Sequence, residues 1–328
     1  MKSAQKIGVV LLWVGCALCV GTLTVGAEDL QVKAKSFVIM DAKSGQVLLS
    51  YNPQLMLPPA STLKVMTAMY VVEKLKMEDT VKVSPYAAAA PPSKIGIKPG
   101  ETYTVRDLLY ALLLSSANDG ARALAERVSG SEEEFARQLT QKVRSWGAYR
   151  TLLANSNGLP ADFQYSTAQD LAVLFRRAME NPELAKIMGT KYYQIQGDRE
   201  LRNHNRFLFT TPLAVAGKTG FTRASRHTFV GQFRQGDKDI IIALMGSPQK
   251  WADLRELIQK GFELEGVPIA KMEPLEERLW FAKKHQGPRG AIKSKAKVKK
   301  RPPRLAMGSG ASLPAKKAAG RLKAGKLK

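Results

Sequence analysis

Cysteine is confined to Cys16 and Cys19, both inside the first 27 of 328 residues. If that stretch is removed as an export signal, the mature chain carries no thiol. That excludes a disulfide framework, a Cys-ligated zinc and a cysteine nucleophile together. Histidine is almost as scarce, at His204, His227 and His285. None sits in a nucleophile-elbow or protease setting, so a histidine base is not the natural proposal; His204 and His227 read as structural or peripheral, and His285 lies in the tail. Acidic residues are missing from Lys283 to Lys328, where 16 basic residues stand, and the rest of the chain is left with a net charge of only +7 out of +23. The basicity therefore belongs to a tail rather than to a nucleic-acid-binding body. A long apolar run is also lacking: the stretch from Ile7 to about Val20 is short for a membrane span.

That N-terminal stretch fits a secretory signal over 1–27. Lys2 and Lys6 precede the apolar run, and Val25-Gly26-Ala27 supplies small residues for cleavage. An uncleaved anchor is one alternative and lipidation at Cys16 another, which Trp13 fits poorly. Downstream, Ser36–Met40 and Gln46–Ser50 read as a hairpin across Asp41-Ala42-Lys43-Ser44-Gly45. A helix from the Ser61 turn to about Lys76 follows, and Pro85–Gly100 reads as loop. From Thr104 to about Met188 the pattern is mostly helical, with Ser131 and Glu134 spaced as a capping box and Ser166 or Thr167 capping a later helix. Strands return over 212–222, 228–233 and 239–245, and a helix over about 249–262 closes the body. The N-terminal hairpin and the C-terminal strands can then share one antiparallel sheet, with the middle as a helical insert, in an α+β fold. The expected organisation is a signal over 1–27, a catalytic domain over 28–268 with the insert at roughly 66–200, a linker helix over 269–282 and a basic disordered tail over 283–328.

Three short motifs carry chemistry. In Pro58-Pro59-Ala60-Ser61-Thr62-Leu63-Lys64, serine and lysine share one helix face, so the amine can reach the hydroxyl. A serine beside a neutral amine is an activated nucleophile. Alone, Ser-x-x-Lys is weak, since it occurs by chance about once in a chain of this length. Ser116-Ala117-Asn118 lies at a helix break and offers a hydroxyl for proton relay and a carboxamide. Lys218-Thr219-Gly220 lies in the first C-terminal strand and offers a charge, a hydroxyl and an open backbone edge for an extended peptide.

In this order the three motifs form the signature of active-site-serine penicillin-recognising enzymes. The chain resembles that superfamily over roughly 34–265, and within it the serine-type D-Ala-D-Ala carboxypeptidases, the low-molecular-weight penicillin-binding proteins. Ala123-Leu124-Ala125-Glu126, Asn155-Ser156-Asn157-Gly158-Leu159-Pro160, Tyr165-Ser166-Thr167-Ala168 and Met245-Gly246-Ser247 extend the likeness. The resemblance implies a β-lactamase/DD-peptidase-like three-layer α/β/α fold, with a central antiparallel sheet and a helical subdomain. It implies that Ser61 is acylated, that Lys64 is the base and that Ser116 relays a proton. It further implies that Asn118 holds the substrate amide and orients Lys64, and that Lys218 and Thr219 engage the terminal carboxylate. The Gly220-Phe221 end of the motif would complete the binding strand, with backbone N–H groups of Ser61 and Phe221 as the oxyanion hole.

The substrates so implied are peptidoglycan stem peptides, and β-lactams as acylating agents, in the periplasm or on the outer face of the cytoplasmic membrane. No cofactor and no metal is implied. The chain departs from the family in three respects. Residues 266–328 are too few for a β-rich second domain and too basic and proline-broken for a membrane-binding helix. A carboxylate-binding arginine of some relatives has no secure match, with Lys250 nearest. A D,D-endopeptidase acting on cross-links shares the same chemistry, whereas a β-lactamase would need a carboxylate-activated water for which no Glu-x-x-Leu-Asn loop is present. From a different class, a non-catalytic binder of anionic polymer would rest on the tail alone. Such a tail attracts nucleic acid, anionic lipid or acidic wall polymer alike. With only Phe281 nearby, base stacking is disfavoured, which leaves an accessory tether to anionic membrane or wall polymer, or a plain solvated tail.

Overall fold

The computed structural model describes residues 30–273. The signal over 1–27, the tail over 283–328 and most of the expected linker helix lie outside them. The first residues of that helix, 269–273, run as irregular chain, with Ile269 and Met272 packed partly buried against the body.

The frame is a five-stranded antiparallel sheet in the order β2-β1-β9-β8-β7, built from β1 (Ser36–Asp41), β2 (Val47–Tyr51), β7 (Ala214–Thr222), β8 (Arg226–Gln235) and β9 (Lys238–Ser247). Its first and last strands in the chain, β1 and β9, lie side by side, with Ser36 paired to Met245 and Asp41 to Ile240. Alternation along the strands sends Val38, Met40, Ile241 and Ala243 into one core and Phe37, Ile39, Ile240 and Ile242 into another. Because both faces are covered, β9 reads as an unbroken apolar run instead of alternating with polar residues. Each fully buried aliphatic side chain of this kind contributes about 1.5–3 kcal/mol.

Helix α9 (Lys250–Leu264) covers one face through Leu254, Leu257, Ile258 and Phe262. The other face carries α1 (Lys64–Lys74) and α6 (Ala168–Met179), and beyond them the helical subdomain of α3 (Val105–Leu114), α4 (Asn118–Ser129), α5 (Glu132–Ser145) and α7 (Pro182–Gly189). The fold is thus α+β with helices on both faces of an antiparallel sheet.

The sequence reading differs from this in local detail. Ser61 lies in a 3-10 turn, Ala60–Leu63, that leads into α1, so the serine precedes the α-helix proper. The Pro85–Gly100 loop contains one helical turn, α2 (Pro85–Ala88), where Ser84 Oγ accepts from the Ala87 N–H and proline occupies the first position. Ser131 caps α5 by accepting from the Glu134 N–H at 3.1 Å, but Glu134 turns outward to Arg137 and Gln138, so the capping box is half made. Thr167 caps α6. Two small hairpins interrupt the helical insert: β3 (Thr80–Lys82) with β4 (Thr102–Thr104), and β5 (Tyr192–Ile195) with β6 (Arg199–Arg202). A further turn, α8 (Phe207–Thr210), leads into β7. Among the described residues no helix is long and apolar enough to cross a membrane.

Candidate active site

The turn bearing Ser61 is held from three sides. Thr62 Oγ1 donates to Pro59 O at 2.6 Å, and Thr228 Oγ1 of β8 donates to the same carbonyl at 2.9 Å. Ala60 takes a left-handed conformation, φ +49°, which a residue with a Cβ adopts only where its surroundings enforce it. Gly158 packs so closely on this turn that a Cβ there would stand 1.9 Å from Ala60 O. From the other side, a Cβ on Gly220 would stand 2.8 Å from Ser61 N. Glycine is needed at both places because backbone meets backbone.

From the start of α1, Lys64 folds back beneath Ser61. It is fully buried, and its Nζ lies 3.1 Å from Ser61 Oγ. The amine also donates to Asn118 Oδ1 at 2.8 Å and to the main-chain carbonyl of Asn157. Burial pushes its pKa well below that of a free lysine, and the Lys218 charge adds to that push; Glu132 and Asp119 oppose it. Asn118 opens α4, and its Nδ2 donates to Pro91 O at 2.9 Å, which fixes Oδ1 toward Lys64.

Ser116, two residues earlier, takes φ +61° in the α3–α4 junction and is buried. Lys218 reaches it from β7, with Nζ 3.2 Å from Ser116 Oγ and 2.8 Å from Thr219 O. Lys218 is likewise buried, and its pKa falls to about 7 through burial first and the Lys250 charge second. Thr219 is buried beside it, whereas the Phe221 side chain is 55% exposed and its ring lies 4.6 Å from that of His227. Three motifs widely separated in the chain thus form two contiguous groups, Ser61–Lys64–Asn118 and Ser116–Lys218, with Gly220 against Ser61.

Residues 23–249 match the peptidase S11 family model, D-alanyl-D-alanine carboxypeptidase, over more than half of the chain. The chain belongs to this family. The S11 match is supported by a Mycobacterium tuberculosis relative, D-alanyl-D-alanine carboxypeptidase DacB2, 36% identical over 242 residues, covering 70% of this chain and 83% of the relative. Similarity extends to Escherichia coli D-alanyl-D-alanine carboxypeptidase DacC, 32% identical over 284 residues, 80% of this chain and 70% of that one. The solved structure of D-alanyl-D-alanine carboxypeptidase from M. tuberculosis H37Rv superposes with a TM-score of 0.68 at 33% identity, covering 73% of this chain and 95% of that one.

Around this S11 site stand groups that the motifs do not announce. Asp119, fully buried, accepts from the main-chain N–H groups of Ile95, Gly96 and Ile97 and so pins the loop that carries Pro91. Ser156 O accepts from Thr67 Oγ1 at 2.7 Å, tying the 155–164 loop to α1 next to Lys64. The signal for Asp119 was its adjacency to Ser116-Ala117-Asn118. For Asn157 and Gly158 it was the Asn155–Pro160 run, which resembled the family without disclosing a role. Lys250, at the start of α9, is nine-tenths buried, with a pKa lowered to about 7 by burial and then by Arg206. It lies close enough for its charge to depress Lys218. His227 falls to about 4, by burial and then by the Lys250, Arg226 and Arg206 charges, and is neutral at pH 7.

Proposed function

We propose that this chain is a serine D-alanyl-D-alanine carboxypeptidase that removes the terminal D-Ala from peptidoglycan stem peptides through an acyl-enzyme on Ser61. One observation carries the reading: the three contacts of Lys64 Nζ. A neutral amine has two N–H bonds and one lone pair. Asn118 Oδ1 and Asn157 O are carbonyl oxygens and can only accept, so they take the two N–H bonds. The remaining direction points at Ser61 Oγ, the one partner that can donate. The lone pair is thereby aimed at the hydroxyl proton, and burial favours the neutral amine by lowering the lysine pKa.

In the reaction, Ser61 Oγ adds to the penultimate D-Ala carbonyl as its proton passes to Lys64. The developing oxyanion takes hydrogen bonds from the backbone N–H groups of Ser61 and Phe221. The tetrahedral adduct then collapses, the C–N bond breaks, and the leaving amine receives the proton taken up by Lys64, relayed through Ser116, whose Oγ lies 3.2 Å from Lys218 Nζ; Lys64 is left neutral again. Lys218 and Thr219 hold the carboxylate of the departing D-Ala, and Asn118 holds the substrate amide. Water, deprotonated by Lys64, cleaves the ester and restores Ser61. A β-lactam follows the first half, but its leaving amine stays tethered, so the acyl-enzyme persists. Among the described residues, the buried carboxylate next to the Lys64 loop is not free to assist the fast escape of a β-lactamase. The buried Glu132 is taken up by five donors from Ser156, Asn157, Tyr86 and Arg122.

Such a substrate places the enzyme in the cell envelope, exported across the cytoplasmic membrane by the 1–27 signal. The basic tail then serves as an accessory tether to anionic membrane or wall polymer.

A fluorescent penicillin tests the site. Wild type is expected to label covalently and the modified peptide to contain Ser61; Ser61→Ala is expected to be silent. Equal labelling of Ser61→Ala sinks the assignment.

A further inference from the structure

Glu132 is the first residue of α5, distant in sequence from every catalytic motif, yet its carboxylate is almost completely buried against the loop that touches Lys64. Oε1 accepts from Ser156 N at 3.0 Å, Ser156 Oγ at 2.6 Å and Asn157 Nδ2 at 2.9 Å. Oε2 accepts from Tyr86 OH at 2.5 Å and Arg122 Nε at 3.1 Å. The two oxygens face in different directions: one grips the 155–164 loop, the other is anchored to α2 and α4. Placement at the start of a helix adds the favourable interaction of the N-terminal dipole with a negative charge. Five donors on one buried carboxylate make a rigid clamp, since each bond to a charged acceptor is stronger than a neutral one.

We propose that Glu132 is a positioning residue for acylation: it fixes the Ser156–Asn157 segment so that the Asn157 carbonyl claims one N–H of Lys64 and leaves the lone pair aimed at Ser61. This rests on the reading of Lys64 as the base. The Asn157 side chain is held at both ends, with Nδ2 on Glu132 and Oδ1 accepting from the Leu159 N–H at 2.9 Å. Ser156 is held by Glu132 through its N–H and hydroxyl while its carbonyl receives Thr67 of α1. Released from Glu132, the Asn157 carbonyl can swing away from Nζ. The amine then rotates freely about its C–N bond, and its lone pair points at Ser61 only part of the time. The effect falls on proton transfer, which needs alignment, and not on substrate binding, which uses Lys218 and Thr219.

The charge has a second consequence. The ionisable groups that bear on Lys64 are Glu132 from α5, Asp119 from α4 and Lys218 from β7. Glu132 favours the protonated amine, so neutralising it moves the acid limb of the acylation profile to lower pH. A purely structural role would lower yield or melting temperature without moving that limb.

The test compares wild type, Glu132→Gln and Asn157→Ala, each checked for folding by circular dichroism. The readouts are penicillin acylation across pH and kcat and KM on a D-Ala-D-Ala peptide. Glu132→Gln leaves one acceptor oxygen for two sets of donors, so its NH2 must face either Arg122 or the main-chain N–H and amide of the Ser156–Asn157 segment, none of which can accept; the clamp on the loop is loosened, and acylation and kcat are expected to fall about tenfold, the scale of one lost bond to a charged group. KM should stay within about twofold, with the acid limb displaced downward. Asn157→Ala removes the Asn157 donor to Glu132 and the Leu159 tie but keeps the charge and the two Ser156 bonds, so it should lower acylation and kcat in the same direction without displacing the limb. The double variant should be little worse than either single one. Wild-type plateau and limb in Glu132→Gln overturn the proposal, as does wild-type kcat in Asn157→Ala, which also decides the matter if Glu132→Gln fails to fold. Ser61→Ala and Lys64→Ala separate the two levels. If they are silent while Glu132→Gln is normal, only this proposal falls; if they acylate normally, the base assignment itself falls.

Discussion

Two lysines with depressed pKa values do opposite work at one site. Lys64 is useful when neutral, so acylation rises with pH through its lowered pKa. Lys218 is useful when charged, and its charge is lost as pH rises through about 7. For a carboxylate-bearing peptide, kcat/KM is therefore expected to fall on the alkaline side near pH 7, a limb set by the free enzyme. Lys218→Arg keeps a positive charge at every accessible pH. It is expected to lower activity, because the Ser116 and Thr219 contacts are shaped for an ammonium, but to erase the alkaline limb. An unchanged limb in pH-rate measurements on that variant would assign it to another group, with Lys250, also near 7, first in line.

The 3-10 turn at Ala60–Leu63 owes its shape to backbone pressed on backbone. Gly158 and Gly130 have nearly equal φ, +82° and +80°, but Gly130 has nothing within 4 Å of its missing Cβ, whereas Gly158 faces Ala60 O at 1.9 Å. Gly130→Ala thus measures the conformational cost alone, about 1–3 kcal/mol. Gly158→Ala is expected to cost at least about 2 kcal/mol more, lowering the melting temperature by a further 4–8 °C or so, and to suppress penicillin acylation. Equal melting temperatures for the two variants would refute the close-packing account.

The sheet was legible in the sequence because its strands are long apolar runs between turn residues: Ile240–Met245 and Phe37–Met40 declare themselves. The small hairpins β3–β4 and β5–β6 did not, since Thr80–Lys82, Thr102–Thr104 and Arg199–Arg202 each hold a single apolar or aromatic residue among polar ones. The site divides in the same way. Ser61, Ser116, Asn118 and Lys218 stood in compact motifs. Glu132 carried no signal in the sequence, because its meaning depends on a loop more than twenty residues later folding back onto it.

Charge is distributed unevenly over the whole molecule. The sequence places 16 of 51 basic residues in positions 283–328 without one acid, and the remainder is only mildly basic. Deleting 283–328 is expected to abolish low-salt association with anionic envelope fragments while leaving penicillin acylation unchanged, because every group assigned to acylation lies between 61 and 221. Sedimentation of envelope fragments with and without the tail measures this, and undiminished association would rule the tether out.

The pairing of Ser36 with Met245 has a temporal side. β1 is flanked by β2, which follows it directly, and by β9, which is synthesised some two hundred residues later. Closing so long a loop is slow compared with forming the local helices of the insert. The nucleophile's turn rests on Thr228 and Gly220, which arrive with that same late group of strands. If Ser61 is the acylated residue as proposed, its reactivity is expected to be acquired at the end of folding. An incomplete chain, however helical, carries the serine and the lysine without yet being an acyltransferase.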